Sequence, residues 1–536
     1  MNREWWRNAI VYQIYPRSFN DSNGDGIGDI PGITEKLDYL KELGVDCLWL
    51  SPVYASPNCD NGYDISDYKS IHPDFGTMED FDRLLNEAGD RGIKIIMDLV
   101  INHTSDEHEW FQKALAGDEK YREYYYFRKK RNNWGSFFGG KAWEKVPGED
   151  MYYLHLFSKK QPDLNWHNPE VYNEVCDIMR FWLDKGVAGF RCDVINVIYK
   201  NSLDNGKRRF VLTGIENYLS TEGNHDILRR LRKDVLSHYD CFTVGETVFV
   251  DPAQANLLMG ADRKELDMVF GFEHMECDQR WLKWFRRPYA PERLINALDK
   301  WQRNCEWNAN YLENHDQPRS VSRFGDSEEC RKPSAKMLCM LNMCLRGTPY
   351  IYEGEEIGMT NGDFKKMSEI RDVESRNVND ILVRFPIPKS MRQKMIFRVT
   401  RDNARTPMQW DNTAGAGFTE GVPWLKINGN HEWINVEHDS KRENGVLPFY
   451  KKMIAYRKQS EALQFGDYKK LPSEKGIYAF ERSAGKNKVT VILNMNSYEE
   501  KMPEIKGKLV LSNYNRENTD DMNGIMKPYE ALLFEE

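Results

Sequence analysis

The sequence predicts an α/β fold built around a (β/α)8 barrel. Short apolar runs alternate with amphipathic helical stretches along most of the 536-residue chain. Runs that are apolar throughout are typical of parallel strands buried on both faces, and their alternation with helices indicates βαβ units. Eight such units close a TIM barrel, whose functional groups lie at the carboxyl ends of the strands.

Eight segments carry the strand pattern. The first, "AIVYQIY" at 9–15, precedes the helical stretch "TEKLDYLKELG", and the second, "VDCLWL" at 45–50, precedes "MEDFDRLLNEAGDRG". The other predicted strands are 93–100, 187–194, 239–246, 267–272, 308–315 and 348–355.

Two stretches interrupt the alternation and indicate further domains. Residues 104–170 separate the third strand from its helix and hold the aromatic run "YREYYYFRKKRNNWGSFFGG". Towards the end of the chain, segments such as "GIYAFERS" and "KVTVILNMN" have the alternation of antiparallel strands. We therefore predict a barrel over 1–103 and 171–463, an insertion domain over 104–170 and a C-terminal β-sandwich over 464–536.

The composition is that of a soluble globular protein, with 40% hydrophobic and 29% charged residues. A net charge of -8 is mild for this length and argues against a nucleic-acid partner. The longest uncharged apolar run, "MLCMLNMCL" at 337–345, is too short to span a membrane. We expect a protein without a membrane partner, and we expect it to be a monomer.

The ten cysteines are scattered without metal-ligand spacing. The first residues, "MNREWWRNAIVYQIYPRSF", lack the continuous apolar stretch of a signal peptide. We therefore predict free thiols and a cytoplasmic location.

Acidic residues and a histidine end five of the predicted strands: Asp98, Asp193, Glu246, His315 with Asp316, and Glu353. One such residue is usually a helix cap or an ion-pair partner. Five on one rim of a barrel instead favour an active site, because barrel enzymes build their sites at the carboxyl ends of strands.

The segments around these residues resemble a known family. "DLVINH" (98–103), "GFRCDVIN" (189–196), "VGET" (244–247) and "LENHD" (312–316) are similar to the four signature segments of the α-amylase superfamily, glycoside hydrolase family thirteen. They occur in that family's order, and "QPDLNW" (161–166) resembles a fifth segment in the insertion. The resemblance covers essentially the whole chain.

The resemblance implies a retaining glycosidase that needs no cofactor for catalysis. Retention requires two carboxyl groups about 5 Å apart. By this match Asp193 is the nucleophile, Glu246 is the acid/base and Asp316 is a third carboxylate that grips the sugar. Arg191 shares a face of the strand with Asp193 and would keep it ionised.

Other matched residues imply contacts to the same sugar. His103 and His315 correspond to imidazoles that hold its hydroxyl groups. "DNGYD" (60–64) and "RDNARTPMQW" (401–410) resemble the oligo-1,6-glucosidase and dextran glucosidase branch, in which an Asp and an Arg close the pocket around the terminal glucose. Asp60 and Arg401 would form that end wall, and Tyr63 the stacking floor. A closed pocket implies removal of one glucose at a time from a small oligosaccharide; the same Asp–Arg pair could simply hold two loops together.

Val194, directly after the predicted nucleophile, bears on linkage. In this branch Val at that position goes with α-1,6 preference, whereas maltases tend to carry Ala or Thr. One or two methyl groups are worth about 1–3 kcal/mol of discrimination, so the preference need not be absolute.

The segment "DSNGDGIGD" at 21–29 resembles half of a calcium loop. It lacks the glutamate that an EF-hand needs at its twelfth position. In this branch the matching loop binds one structural Ca²⁺ or Mg²⁺ ion, and the ligands would be Asp21, Asn23, Asp25, Ile27 through its carbonyl, and Asp29. The alternative is a Gly/Asn turn that binds no ion.

Rival functions exist on the same scaffold. Trehalose-6-phosphate hydrolases share the "DNGYD" and Val features, and "KNSLDNGKRRF" (200–210) could supply cations for a phosphate. An α-1,4-glucosidase and a sucrose isomerase or transglucosidase keep the same three carboxylates. A different class of protein, the non-catalytic subunit of a transporter, is the remaining alternative. Such proteins carry a transmembrane helix and have lost catalytic acids, whereas this sequence has no apolar run of that length and keeps all three acids.

Overall fold

The computed structural model describes residues 4–518 and 523–536. Its central sheet contains eight parallel strands, β1 to β8, which are Val11–Ile14, Cys47–Leu50, Lys94–Leu99, Gly189–Cys192, Phe242–Glu246, Met268–Phe270, Ala309–Asn310 and Thr348–Tyr352. Neighbours follow in chain order, β8 pairs with β1, and a parallel bridge from Val269 to Asn308 joins β6 to β7. The sheet closes on itself, which confirms the predicted barrel.

A helix packs outside the barrel after each strand. These eight helices are Leu37–Leu43, Met78–Asp90, Pro169–Asp184, Glu222–Asp234, Pro252–Met259, Pro291–Asn304, Arg331–Cys344 and Val446–Gln459. The other α-helices of the described residues are Pro16–Phe19, Ile30–Glu35, Glu109–Leu115, Glu119–Arg122, Ser320–Phe324, Val373–Leu382, Lys389–Val399, Asp402–Arg405, Val436–Ser440 and Glu461–Phe465.

Local chemistry fixes where these helices begin and end. Thr77 and Asp80 form a reciprocal capping box at the start of Met78–Asp90, which satisfies backbone N–H groups left free by the first turn. Leu37–Leu43 ends at Gly44, whose φ of 98° is the left-handed conformation that glycine adopts most readily. The connection therefore turns tightly into β2.

Two smaller sheets flank the barrel. Between β3 and the helix Pro169–Asp184 lies an antiparallel sheet of Phe127–Arg128, Tyr152–Leu154 and Trp143–Lys145. After the last helix, an antiparallel sheet has the strand order Asp467–Lys470, Ile477–Ala484, Asn487–Asn494, Ala531–Glu535 and Lys508–Ser512. Glu500–Lys501 pairs with Ile525–Met526 beside it. The C-terminal antiparallel domain is confirmed as part of the fold.

The structure also bears on two predictions from the sequence, the lack of a membrane-spanning segment and the free thiols. Within residues 4–518 and 523–536, no helix combines the length and apolar character required to cross a bilayer. All ten cysteines, which lie in this described part, are free.

Candidate active site

Arg191 is the centre of a buried charge cluster at the carboxyl ends of β3, β4 and β5. Pairing of β3 with β4 sets Asp98 directly beside Arg191. The guanidinium, only 2% exposed, lies 2.5 Å from Asp98 Oδ1, 2.6 Å from Asp193 Oδ1 and 2.6 Å from Glu246 Oε2. One cation therefore holds three carboxyl groups together, and the three strand ends bring them to one point.

Asp193 and Glu246 form a close pair. Both carboxyl groups contact the same guanidinium: Asp193 Oδ1 lies 2.6 Å from Arg191 Nη1, and Glu246 Oε2 lies 2.6 Å from Arg191 Nη2. Burial, together with the negative charge of Glu246, raises the pKa of Asp193 even though Arg191 opposes the shift. The raised pKa of Asp193 therefore favours a proton held at this pair of carboxyl groups.

Val194 has an unusual backbone. Its φ and ψ are 37° and 39°, a left-handed conformation that costs a β-branched residue about 1–3 kcal/mol. The conformation aims its N–H at Glu246 Oε2, at 3.2 Å. Asn196 braces the turn by two hydrogen bonds to the backbone of Val248, of 2.9 and 3.1 Å. The strained turn thus orients Glu246 relative to Asp193.

Asp316 reaches the cluster from the loop after β7. Arg405 Nη2 lies 2.7 Å from its Oδ1, and Arg401 Nη1 lies 3.5 Å from the same oxygen. Burial opposes ionisation, but the cations Arg401 and Arg405 outweigh it and hold the pKa of Asp316 well below its usual range. Asp316 is therefore a fixed negative charge beside the paired carboxyls.

His315 connects to Asp98 through Tyr63. Gln13 Nε2 lies 2.7 Å from His315 Nδ1, and His315 Nε2 lies 2.7 Å from the Tyr63 hydroxyl, which is 3.1 Å from Asp98 Oδ2. Since the Gln13 amide donates, the neutral ring carries its proton on Nε2 and Tyr63 donates to Asp98. Burial lowers the pKa of His315 to about 3, so the ring stays neutral.

Asp60 and Arg401 form an ion pair in the wall of the cavity. Arg401 Nη2 lies 3.1 Å from Asp60 Oδ1, and Asp372 Oδ1 accepts from Arg401 Nε at 2.8 Å. Gln161 of the insertion donates to Asp60 at 3.3 Å and lies 3.1 Å from His103 Nε2. Asp60 and Arg401, the predicted end wall, therefore form a buried ion pair that Asp372 and Gln161 extend.

These groups surround a cavity of about 270 Å³. Of the residues predicted from sequence, its lining contains Asp60, Tyr63, His103, Asp193, Val194, Glu246, Asp316 and Arg401. Arg191 is buried beneath the carboxyls. His315 is buried behind Tyr63, with the two rings stacked at 5.4 Å.

Several lining residues escaped the sequence analysis. They are Phe137, Phe138, Phe157, Gln161, Val248, Phe249, Phe272, Glu276, Lys283, Gln317 and Glu374. Gln161 lies inside the matched segment "QPDLNW", and Phe137 and Phe138 lie in the aromatic run of the insertion, so these had a visible signal. Lys283 lies in an irregular segment and Glu374 in the first turn of the helix Val373–Leu382, and neither carried a sequence signal.

Glu353, one of the five strand-end residues, has a different setting. It directly follows β8, but the backbone N–H of Tyr15 donates to its Oε2 at 2.8 Å and its side chain is buried away from the cavity lining. Burial raises the pKa of this carboxyl well above its usual range. Its position at a strand end does not make it part of the site.

The loop at residues 21–29 follows β1 on the same rim. Asp21 and Asp29 accept hydrogen bonds from nearby groups, including the N–H of Gly26 at 2.8 Å and of Gly32 at 2.6 Å. Asn23 and Asp25 each accept from a backbone N–H two residues on. Across the described chain, no three His, Cys, Asp or Glu side chains converge closely enough to hold a metal ion. The loop offers only oxygen donors, which suit a hard cation, but its carboxylates do not converge.

Comparison with known proteins agrees with this geometry. The sequence-family model of the α-amylase catalytic domain matches residues 13–466 of this chain. An oligo-1,6-glucosidase of Parageobacillus thermoglucosidasius is 48% identical over 563 residues, covering 100% of this chain and 99% of that protein.

Solved structures show the same likeness. A trehalose-6-phosphate hydrolase of Bacillus licheniformis superposes with a TM-score of 0.93 at 41% identity, and the match covers 99% of both chains. An isomaltulose synthase from Protaminobacter rubrum gives a TM-score of 0.92 at 39% identity, again over 99% of both chains. This chain therefore belongs to the α-amylase family of glycoside hydrolases.

Proposed function

We propose that the protein is a retaining, exo-acting α-glucosidase that removes terminal α-1,6-linked glucose from isomalto-oligosaccharides. One observation carries the proposal: the carboxyls of Asp193 and Glu246 line a cavity whose lining also contains the Asp60–Arg401 ion pair, which would close the pocket around a terminal sugar. A closed end accepts the last sugar of a chain and excludes a chain that would pass through.

The first half of the reaction forms a covalent intermediate. Asp193 attacks the anomeric carbon of the terminal glucose while Glu246 gives its proton to the leaving oxygen. Arg191 holds both carboxyls in reach, and the Val194 N–H fixes Glu246. Asp316, ionised beside Arg401 and Arg405, stabilises positive charge that develops on the sugar ring.

The second half releases glucose. Glu246, now ionised, takes a proton from a water molecule, and the water attacks the anomeric carbon and displaces Asp193. His103 and Gln161, at the closed end, would hydrogen bond to the sugar's hydroxyl groups. The released glucose has retained its anomeric configuration.

Two observations support α-1,6 linkage. The relative at 48% identity is an oligo-1,6-glucosidase. Val194 lines the cavity and packs with Trp134 and Tyr218, so its two methyl groups have a fixed position beside the nucleophile. A preference of about 1–3 kcal/mol follows from such a difference in apolar volume.

The charges at the cavity favour a neutral substrate over a phosphorylated one. In the described lining, the cations are Arg401, paired with Asp60 and Asp372, and Lys283, paired with Glu374. The basic stretch at 207–209, which could have bound a phosphate, contributes no residue to that lining. Trehalose 6-phosphate would have to displace Glu374 from Lys283.

Parallel assays of glucose release test the proposal. Isomaltose, maltose and trehalose 6-phosphate are compared by kcat/KM, with Asp193→Asn as the inactive control, and sucrose is examined for conversion to an isomer. We expect isomaltose to lead and the control to lose activity. A higher kcat/KM on maltose would refute the α-1,6 preference, and a higher kcat/KM on trehalose 6-phosphate would indicate a trehalose-6-phosphate hydrolase instead. An isomerised product from sucrose would indicate sucrose isomerase activity.

We propose further that the loop at 21–29 binds one Ca²⁺ or Mg²⁺ ion through Asp21, Asn23, Asp25, Ile27 and Asp29, with a bracing role outside catalysis. Its all-oxygen donor set supports this. A rise in Tm with added Ca²⁺, abolished in Asp21→Ala, would support the site; an unchanged Tm would refute it.

We also propose a cytoplasmic monomer without nucleic-acid or membrane partners. The ten free cysteines support a reducing compartment. Sedimentation velocity at micromolar concentration tests the oligomeric state, and fractionation of the source cells tests the location.

A further inference from the structure

A second cleft lies on the catalytic face of the barrel, apart from the cavity; we call it the outer cleft. Its volume is about 770 Å³, within the range of binding sites for small molecules. Its lining comes from residues between 322 and 331, which follow β7, and from residues within 360–363 and 428–434, which follow β8. Because loops after the parallel strands of a barrel share one rim, the outer cleft and the cavity lie on the same face.

The outer cleft is separate from the cavity but close to it along the chain. The described linings of the two share no residue. Gln317 lines the cavity and Ser322 lines the outer cleft, and five residue steps place their backbones at most about 18 Å apart. A chain molecule bound in the outer cleft therefore stays within reach of the cavity.

Hydrogen bonds between the loops fix the walls of the outer cleft. The Asn428 side chain donates to the carbonyl of Asn361 at 2.9 Å, and the Asn430 side chain donates to Thr360 Oγ1 at 2.8 Å. Asn361 in turn donates its backbone N–H to Ser322 Oγ at 3.0 Å. The three segments are therefore joined to one another, and a ligand can bind without first ordering them.

Trp433 exposes a flat apolar surface in the outer cleft. It is 55% exposed, and no aromatic ring or cation of the described residues packs on its indole. Its backbone is held on both sides, because its N–H donates to the Asn430 carbonyl at 3.1 Å and the next residue, Ile434, is buried in the core. A large aromatic ring that stays uncovered in a cleft is suited to the apolar face of a ligand.

Most other groups in the lining form or accept hydrogen bonds. Glu328 and Glu329 are exposed, and in the described part of the chain neither forms an ion pair. Asp363 pairs through Oδ1 with Lys426 at 2.7 Å, so its Oδ2 can accept from another donor. The outer cleft therefore presents carboxylate oxygens to a ligand beside an exposed indole.

This combination matches a neutral carbohydrate better than other ligands. A phosphate or an acidic peptide would meet three carboxylates, and Arg331, the cation of the described lining, already donates to the carbonyls of Ile357 and Gly358. In the described chain no three His, Cys, Asp or Glu side chains converge as a metal site requires. A cage for an organic ammonium ion needs several aromatic rings, and the described lining holds Trp433 alone. A pyranose has hydroxyl donors for the carboxylates and an apolar C–H face for the indole, so it uses both features.

We propose that the outer cleft is a second carbohydrate site, which binds a chain of glucose units without cleaving it. Trp433 stacks on one sugar ring, and Glu328, Glu329 and Asp363 accept hydrogen bonds from hydroxyl groups. The choice of glucose rests on the proposed function, and the site extends that function: a long substrate is held on the catalytic face between cleavage events, at a raised effective concentration.

Ring-shaped glucans test the second site without interference from the cavity. They have no terminal glucose, so a pocket that takes chain ends does not accept them. A cyclic α-1,6-glucan and β-cyclodextrin, whose linkage is α-1,4, are titrated by calorimetry into wild type, Trp433→Ala, Trp433→Phe and Trp281→Ala. Trp281 is the matched control, because it is 73% exposed but does not line the outer cleft.

We expect the wild-type protein to bind at least one ring, and the tighter ring identifies the linkage that the site prefers. The Kd should rise about 3- to 10-fold in Trp433→Ala and recover partly in Trp433→Phe, because an aromatic face is restored. Trp281→Ala should keep the wild-type Kd. All variants should keep the wild-type kcat/KM on isomaltose, because the cavity alone binds a disaccharide.

Four results overturn the inference. Neither ring binds, or the Kd is unchanged in Trp433→Ala, or it rises equally in Trp281→Ala, or spermidine binds at Trp433 more tightly than either ring and makes the cleft a cation site. The proposed function fails separately, if wild type releases no glucose from isomaltose. A protein that cleaves isomaltose but binds neither ring refutes the second site alone.

Discussion

Replacement of Lys200 with methionine is expected to destabilise the protein strongly, because its ammonium group joins three parts of the fold. Nζ lies 2.7 Å from Asp163 Oδ2 in the insertion and donates to Asn102 Oδ1 after β3 at 2.7 Å. It also donates to the carbonyls of Val197 and Ile198, at 3.1 and 3.2 Å, in the loop after the nucleophile. All of this lies out of contact with solvent.

The size of the effect follows from what the variant leaves behind. Methionine has similar length but no charge, so Asp163 would remain as a buried carboxylate without its cation, which costs about 3–5 kcal/mol. The double variant Lys200→Met/Asp163→Asn removes both charges and should lose less than the sum of the single variants. Lys185→Met is the control, because its partner Asp82 is exposed and such pairs are worth about 0–1 kcal/mol.

Urea unfolding followed by tryptophan fluorescence measures these differences, and kcat/KM on isomaltose is measured alongside. Asp163 accepts from Leu156 N at 2.8 Å and lies two residues from Gln161, which contacts the closed end of the pocket. A shift of that segment should reduce kcat/KM by about 10-fold or more. If Lys200→Met unfolds at the same urea concentration as Lys185→Met, the ammonium group does not hold the insertion to the barrel.

Three further predictions concern linkage, pH and backbone. Val194→Ala should raise kcat/KM on maltose relative to isomaltose by about 10-fold, within the 1–3 kcal/mol of a lost methyl contact, as paired assays would show; an unchanged ratio would remove Val194 as the linkage determinant. Burial lowers the pKa of His274 to about 4, below the roughly 6.5 of an unfolded chain, so the stability it contributes is present above pH 6.5 and is lost as the pH falls towards 4. His274→Gln should therefore lose less stability than wild type between pH 7.5 and 4.5 in urea titrations, and parallel curves would contradict this. Gly189→Ala should cost about 3 kcal/mol in the same assay, because φ is 141° and an added Cβ would lie 1.9 Å from the Phe242 carbonyl oxygen; a wild-type midpoint would refute the clash.

The barrel could be predicted from sequence because buried parallel strands leave continuous apolar runs. All eight segments contain an observed strand, but the strands are shorter: β7 is only Ala309–Asn310, where 308–315 was predicted. The remaining residues of that segment form the loop that carries His315 and Asp316 to the site. Apolar character alone does not distinguish a strand from the buried loop that continues it.

The candidate site was predictable in part for a related reason. Residues on strand ends, such as Asp193 and Glu246, fall at positions that the barrel pattern itself marks. Lys283 comes from an irregular segment and Glu374 from a helix outside the barrel pattern, and what places them at the cavity is their long-range pairing with each other. Glu353 shows the converse, since a strand-end position was not sufficient for a role in the cavity.

Arg191, bound to three carboxyls, makes the charge of the site a shared property. Asp98, Asp193 and Glu246 all contact the same guanidinium, so a change of charge at one carboxyl alters the electrostatic surroundings of the other two. In the proposed reaction Asp193 loses its charge when the ester forms, and Glu246 gains one by giving up its proton. The two changes cancel, so the guanidinium can stay in place through both halves of that reaction.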